Sequence, residues 1–406
     1  MYLVEQYIIS VNDKRYKDLD RICFLSKNLY NAALYTIKQE FLCTGKWIRA
    51  GELNKKMVAE NNIDYRAMSG SSSQQVLMAL DKNLKSYFSA IKSWKRDNKK
   101  FTGCPKFPRY KHKTKGRNVF SYSYAQFKHK GNFIFFPKKE GLSPLKTNCK
   151  EGSVKQVRFV PKSDCYVIEV VYESSVREQL PDNNRIMSID LGVNNLASIV
   201  TNTNNKPVLI DGRKLKSINQ YYNKKRSKIQ QQLKKVNGKK NSRRLMSLTR
   251  KRNNKVKDYL HKASRILVNH VVSNGINTII IGHNKCWKQE INIGKRNNQN
   301  FVSIPFNVFI SMISYKATLE GINVKIVEES YTSKCSFLDN ERICKHESYE
   351  GRRIKRGLFK TSSGSIINAD INGAFNIIRK SEKESFDVTM LPKGRGFWWN
   401  PVRISV

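Results

Sequence analysis

The chain has 406 residues, with 76 Lys and Arg against 32 Asp and Glu, for a formal net charge of +44 at pH 7. Its length exceeds what one compact core usually serves, so several domains are expected. Charge of this size describes partners and not fold. With no long apolar stretch, signal peptide or lipidation motif, it argues against a membrane protein and for long contact with a nucleic acid backbone. The cysteines are scattered, with no CxxC pair. They fit a reduced, intracellular compartment and packed thiols.

Residues 1–10, "MYLVEQYIIS", alternate loosely and predict a strand. From about residue 14 to 100 the period becomes helical. "RICFLSKNLYNAALYTIKQEFL" places Ile22, Leu25, Leu29, Ala32 and Leu34 near one face. "SSSQQVLMALDKNLKSYFSAIKSW" opens on a serine cluster able to cap a helix, then carries Val76, Leu77, Leu80, Leu84, Phe88 and Ile91 at helical spacing. Both stripes read as helix-bundle core. Pro105 and Pro108 end this region. The basic stretch "PKFPRYKHKTKGRN", residues 105–118, includes Lys111, Lys113, Lys115 and Arg117 and no acid. The short runs "NVFSYSY", "NFIFFP", "VKQVRFVP" and "CYVIEVVYE" predict a small barrel or sandwich that the first strand completes, with the helices inserted.

From residue 185 the rhythm changes. "RIMSIDLG", "LASIVTN" and "KPVLIDG" follow closely, as an antiparallel meander would. A basic helical stretch covers about 213–274; within it, residues 213–262 hold 19 Lys and Arg and one acid, Asp258. Like charges at this density repel, which favours a polyanion partner over a solvated face. Arg243 and Arg244 are candidates to touch it, and Tyr221, Tyr222 and Tyr259 flank the run, either to stack on bases or to pack. Then come "INTIIIGHN" as strand, "IPFNVFISMISYKATLEG" as helix, "INVKIVEES" as strand and "NADINGAFNIIRKS" as helix. Three strands, helix, strand, helix, strand, helix is the order of an RNase H-like domain.

Within that order the acids can be sorted. Asp190 ends the first, buried strand, where an unpaired carboxylate is costly. Asp370 begins the last helix, where a negative charge is favoured. Together they read as two of three ligands for Mg²⁺, which prefers carboxylates and water. The third acid is due at the end of the fourth strand, but "TIIIGHN" has none. The replacements are Glu328 and Glu329 at the end of the fifth strand, about 4.8 Å further from Asp190. Consecutive residues face opposite ways, so only one should enter the site, and Glu329 is favoured. Glu290, in the loop after the fourth strand, is the reserve.

These motifs, in this order, resemble the TnpB (OrfB) family of transposon-encoded proteins, relatives of the miniature type V CRISPR effectors. "LYNAALY" and "SQQVLMALDKNLKSYFSAIKSWK" resemble the family's N-terminal helices, and "FPRYKHKTKGRN" its central basic motif. "SIDLGVNNLAS", "YTSKCS" and "NADINGAFNI" resemble its RuvC-like nuclease motifs. The resemblance implies a multidomain α+β fold: an RNase H-like (RuvC) nuclease domain, and a small wedge-like β-barrel with an inserted helical recognition domain. The expected bounds are 1–12 and 104–180 for the barrel, 13–103 for the helices and 181–406 for the nuclease. It implies an RNA-guided DNA endonuclease, with a guide RNA and target double-stranded DNA as partners and Mg²⁺ or Mn²⁺ on Asp190, Glu329 and Asp370. A prokaryotic cytoplasmic, nucleoid-associated location follows, with the oligomeric state left open. Gln74 and Gln75 fall where the family's helix reads the target-adjacent motif.

Two features depart from the family. The acid usual after the fourth strand is absent, and the sequence looks like a branch of the family in which it has moved to the next strand. The zinc ribbon, usually two CxxC pairs, is reduced in 330–366 to Cys335, Cys344 and His346, so zinc is not expected. "GRRIKRGLFK", residues 351–360, with Arg352, Arg353, Lys355 and Arg356, is read as a basic strip replacing the ribbon. Other readings stand beside the first. They are a nuclease-inactive RNA-guided DNA-binding protein, a type V effector using a separate array RNA, and a transposase joining strands with the same acids.

Overall fold

A computed structural model describes residues 1–406 apart from 139–140, 204, 239–240, 285–286, 290–291, 293, 383–385, 387–388 and 390–399. The chain forms two units, Met1–Ser174 and Ser175–Val406. In the first, the described elements are β1 (Tyr2–Ile9), α1 (Tyr16–Thr44), α2 (Ala50–Ala59), α3 (Ile63–Arg66), α4 (Gly70–Arg96), β2 (Phe120–Ser123), β3 (Lys128–Lys130), β4 (Phe133–Phe135), β5 (Leu145–Lys146), β6 (Val154–Pro161) and β7 (Tyr166–Glu173). The alternation of residues 2–9 lets β1 pair antiparallel with β7 along its whole length. An antiparallel sheet of order β1-β7-β6-β2 results, and β3-β4-β5 form a second.

The helical stripes close this unit. Ile22, Leu29 and Leu34 of α1 and Val76, Leu77, Leu80 and Leu84 of α4 are buried in one core with Phe120, Tyr122 and Phe159 of the sheet. Gly45 ends α1 in the left-handed conformation, φ 68°, and donates its N–H to Phe41 O. The serine cluster does not cap α4. The helix starts at Gly70, so Ser71, Ser72 and Ser73 lie in its first turn. Ser72 Oγ donates to Ser121 O at 3.2 Å and Ser71 Oγ meets Ser123 Oγ at 3.1 Å. Small hydroxyl side chains let the helix approach β2 and bond to it.

In the second unit the described elements are β8 (Ile186–Leu191), β9 (Asn195–Thr201), β10 (Val208–Asp211), α5 (Arg213–Asn237), α6 (Arg243–Ser273), β11 (Thr278–Gly282), α7 (Lys295–Val302), α8 (Phe306–Leu319), β12 (Asn323–Val327), β13 (Arg352–Lys355), β14 (Leu358–Lys360), β15 (Ile366–Asn368), α9 (Ala369–Ser381) and β16 (Val402–Ile404). The main sheet has the order β12-β11-β8-β9-β10-β16. β8, β9 and β10 form the antiparallel meander, while β11 and β12 run parallel to β8. Parallel neighbours need crossovers, and the helices between them supply these. β16 was not expected; it adds parallel to β10 at the sheet edge.

The period of two sorts each strand's residues to opposite faces. Ile279 and Ile281 join Met187 and Ile189 in a core with Leu260, Leu267, Phe309 and Ile313 of α6 and α8. Ile280 and Ile186 face the other way, into a core with Phe375 and Ile378 of α9 and Phe337. The stretch Lys295–Leu319 is long and apolar enough by length and composition to cross a membrane. It is two helices with a break before Phe306, and Phe306, Phe309, Ile313 and Ala317 are buried in the core.

Candidate active site

The same alternation delivers Asp190. Ser188 lies on the α9 face of β8, where its Oγ donates to Ala374 O at 2.6 Å, so Asp190, two residues on, lies on that face too. α9 comes very close here. A Cβ on Gly373 would stand 3.0 Å from Asp190 Oδ2, so any side chain there would push on the Asp190 carboxylate. Asp370 sits in the first turn of α9, with Asn368 as the cap accepting from the N–H groups of Asp370 and Ile371 at 3.1 and 3.3 Å. Glu329 follows the end of β12. Asp190, Glu329 and Asp370 line one cavity of about 540 Å³, with Ser198, Asn284, Tyr331, Lys334 and Arg353 among the other lining residues. It opens at the carboxyl ends of the parallel strands, where sheets of this kind bind ligands.

The electrostatics are those of acids forced together. Burial, then the charges of Glu329 and Asp370, push the Asp190 carboxyl well above the usual range, against the pull of Arg353. Burial, then Glu328, raises Glu329 to about 7, with Lys380 opposing. Glu329 Oε2 is buried and has no hydrogen-bond partner among the described residues. An orphaned carboxylate oxygen beside other acids fits a hard divalent cation such as Mg²⁺ or Mn²⁺. Asp370 is held by neutral and cationic donors: Asn195 Nδ2 at 2.7 Å and Arg353 Nη2 at 3.1 Å. Asn195 Oδ1 in turn accepts from Arg403 Nη1 at 2.8 Å.

Glu328 lies outside the cavity. It is exposed, pairs with Lys380 Nζ at 3.0 Å and accepts from the Ser330 hydroxyl. Glu290 lies outside the described residues. Residues 351–360, read as a basic strip, fold as the β13–β14 hairpin. Arg352, Arg353, Lys355 and Arg356 are all exposed, and Arg353 in addition bonds to Asp370. Sequence reasoning also missed two asparagines of α9. Asn376 Nδ2 donates to Thr332 O and Cys335 O, and Asn372 bonds Phe337 N and Cys335 O. They hold "YTSKCS" against the helix. Their spacing of four residues within an apolar helix was the available signal.

The remaining candidates divide by exposure. Lys113, Lys115, Arg243, Arg244 and Gln74 are exposed; Gln75 and Lys111 are partly buried, and Lys111 Nζ lies 5.1 Å from the centre of the Tyr30 ring. Arg117 is turned inward, bonded to both carboxylate oxygens of Asp20 at 2.9 and 2.7 Å. Tyr221 is exposed, Tyr222 meets Thr249 across α5 and α6, and Tyr259 is buried in the core. In the reduced ribbon, ligand atoms of Cys335, Glu341 and His346 lie within 4.8 Å of one another. The buried Glu341 carboxylate accepts the N–H groups of Ser336 and Glu350 at 2.6 and 3.2 Å.

The chain is mixed α and β and strongly basic, with a carboxylate cavity at the ends of its parallel strands whose donors suit a divalent cation. Comparison with known proteins narrows the class. Residues 169–288 match the OrfB family, described as a probable transposase, and residues 306–377 match the Cas12f1-like TNB domain. A TnpB-like protein of Methanocaldococcus jannaschii is 28% identical over 243 residues, 57% of this chain and 81% of that relative. A TnpB-like protein of Acidianus two-tailed virus is 26% identical over 216 residues, and the match spans 44% of that protein. A CRISPR-associated endodeoxyribonuclease Cas12f2 from a Micrarchaeota archaeon is 24% identical over 326 residues, 68% of this chain and 57% of its own. Among solved structures, a Cas12f1–sgRNA–target DNA complex shares the fold at a TM-score of 0.52 and 14% identity, over 89% of this chain and 81% of that one. Over these two stretches the chain is thus similar to the TnpB (OrfB) proteins and to their Cas12f relatives.

Proposed function

We propose that this chain is an RNA-guided DNA endonuclease of a transposable element, cutting phosphodiesters in a RuvC-like site next to a short target-adjacent motif. The observation that carries the reading is the meeting of Asp190, Glu329 and Asp370 in one cavity, with an unpartnered buried oxygen on Glu329. The strand order, with β8 central, β11 beside it and β12 beside β11, supports the RNase H-like description. The antiparallel sheet of the first unit, with its helices, supports the wedge and recognition roles.

Asp190, Glu329 and Asp370 would hold Mg²⁺ or Mn²⁺, which when bound supplies Lewis acidity at the phosphorus and an activated water. The chain's own groups do the rest. Ionised acids confine the cation, and Asn195 and Arg353 orient Asp370. The Arg353 fork matches phosphate oxygens in shape and charge. The guide RNA and target DNA are held by backbone and shape, while base pairing reads the sequence; the exposed cations of the α5–α6 pair and of 352–356 suit that task. Such a protein works in the prokaryotic cytoplasm, at the nucleoid. The likeness to Cas12f proteins favours one second reading, a type V effector whose guide comes from a separate array.

The test is plasmid cleavage by the chain with its native flanking RNA, on targets with randomised flanks, in Mg²⁺ and in EDTA. Mg²⁺-dependent cutting beside one enriched flank is expected. Asp190→Ala should abolish it while sparing RNA binding, and Glu329→Gln should abolish it where Glu328→Gln does not. Full activity in Asp190→Ala would sink the site. RNA-dependent retention of one flank without cutting would mean a binder only.

A further inference from the structure

The end of β11 carries no acid, but it is shaped around one. A Cβ on Gly282 would stand 2.9 Å from Glu329 Oε2 and 2.4 Å from Ile377 Cδ1. A side chain at 282 would therefore have to displace the Glu329 carboxylate of the neighbouring strand and the end of an isoleucine of α9. Two residues on, Asn284 Oδ1 accepts the main-chain N–H of Glu329 at 3.0 Å, and Asn284 also lines the cavity. Between them, the His283 N–H donates to Val327 O at 2.9 Å, so the pairing with β12 continues one residue past the end of β11. A glutamate that must reach across a strand spacing has many rotamers and little margin. A metal ligand displaced by about half an ångström loses most of its use.

We propose that residues 282–284 form the receptor of Glu329. Gly282, through the side chain it lacks, and Asn284, through its amide oxygen, are positioning residues that hold the carboxylate in the cavity for a divalent metal. The proposal rests on the reading of Glu329 as a metal ligand.

The test is direct Mn²⁺ binding to the full chain without nucleic acid, read by the free-ion EPR signal, beside the thermal unfolding midpoint. Ile377→Val serves as the reference background, because it removes the Cδ1 that would otherwise meet a new Cβ. In that background Gly282→Ala is expected to weaken Mn²⁺ binding about tenfold or more, and Asn284→Ala in the native chain by several-fold, with midpoints close to their references. Both changes should be silent when Glu329→Gln is already present, since groups acting through one ligand do not add. A purely structural role would lower the midpoint and persist in that background. If Glu329→Gln weakens binding while Gly282→Ala and Asn284→Ala leave it unchanged, the receptor is wrong and the ligand assignment stands. If Glu329→Gln has no effect while Asp190→Asn abolishes binding, the ligand assignment fails and the receptor with it. Should the Gly282→Ala variant not fold, Asn284→Ala decides alone.

Discussion

Individual side chains here are explained by what they face. Glu329 holds its proton far more tightly in the folded chain, with its value raised from 4.5 to about 7. For a carboxyl raised on folding, the contribution to stability is present below 4.5 and is lost as pH rises through about 7. Asp190 acts in the same direction. The metal-free chain should therefore lose thermal stability across that window, and the loss should be smaller in Glu329→Gln; melts in EDTA at stepped pH measure both. Arg117 is a contrary case. Its guanidinium grips Asp20, which also accepts Tyr166 Oη at 2.7 Å. Arg117→Ala should cost about 1–3 kcal/mol of stability in denaturant melts and leave RNA affinity nearly unchanged. Lys113→Ala and Lys115→Ala should do the reverse.

Among the elements, α9 carries the most. Its first turn presents Asp370, Gly373 lets Asp190 approach, and Asn372 and Asn376 pin the segment that bears Ser333 and Lys334 at the cavity rim. Asn376 is fully buried and donates to two main-chain oxygens. Asn376→Ala strands Thr332 O without that donor, an expected loss of about 1–3 kcal/mol in chemical denaturation. The β13–β14 hairpin is the second such element. Its turn at Gly357 has φ 83°, and its strands carry Arg353 to Asp370. α5 differs from both: Leu215, Asn219 and Ile229 are its buried residues among those described, so its hold on the unit is light, and it exposes Lys224, Arg226, Lys228, Lys234 and Lys235 to a partner.

On the scale of the whole molecule, the net charge of +44 is the dominant fact. Phosphates neutralised by lysine and arginine release counterions, so affinity depends steeply on salt. With about six or more phosphate contacts, affinity for guide RNA should fall by about 10³–10⁵ between roughly 50 and 200 mM salt. Filter binding across that range measures the slope, and a flat response would overturn the role given to the basic helices. Such charge also repels itself in the free chain, so polyanions should raise the melting midpoint.

The sequence by itself determined most of the order of the elements, the helical stripes of α1 and α4, and the places of Asp190 at a strand end and Asp370 at a helix start. These rest on local periodicity and on end effects that act within a few residues. It also narrowed the third acid to two neighbours. The choice between Glu328 and Glu329 belonged to tertiary structure, because both lie beyond the last paired residue of β12, where strand alternation no longer binds. The inward turn of Arg117 depends on Asp20, 97 residues away, and the reach of Arg353 on Asp370 across a hairpin. The crowding around Gly282 depends on Glu329 and Ile377. Such pairings leave no period in the chain; they exist only once distant segments are packed side by side.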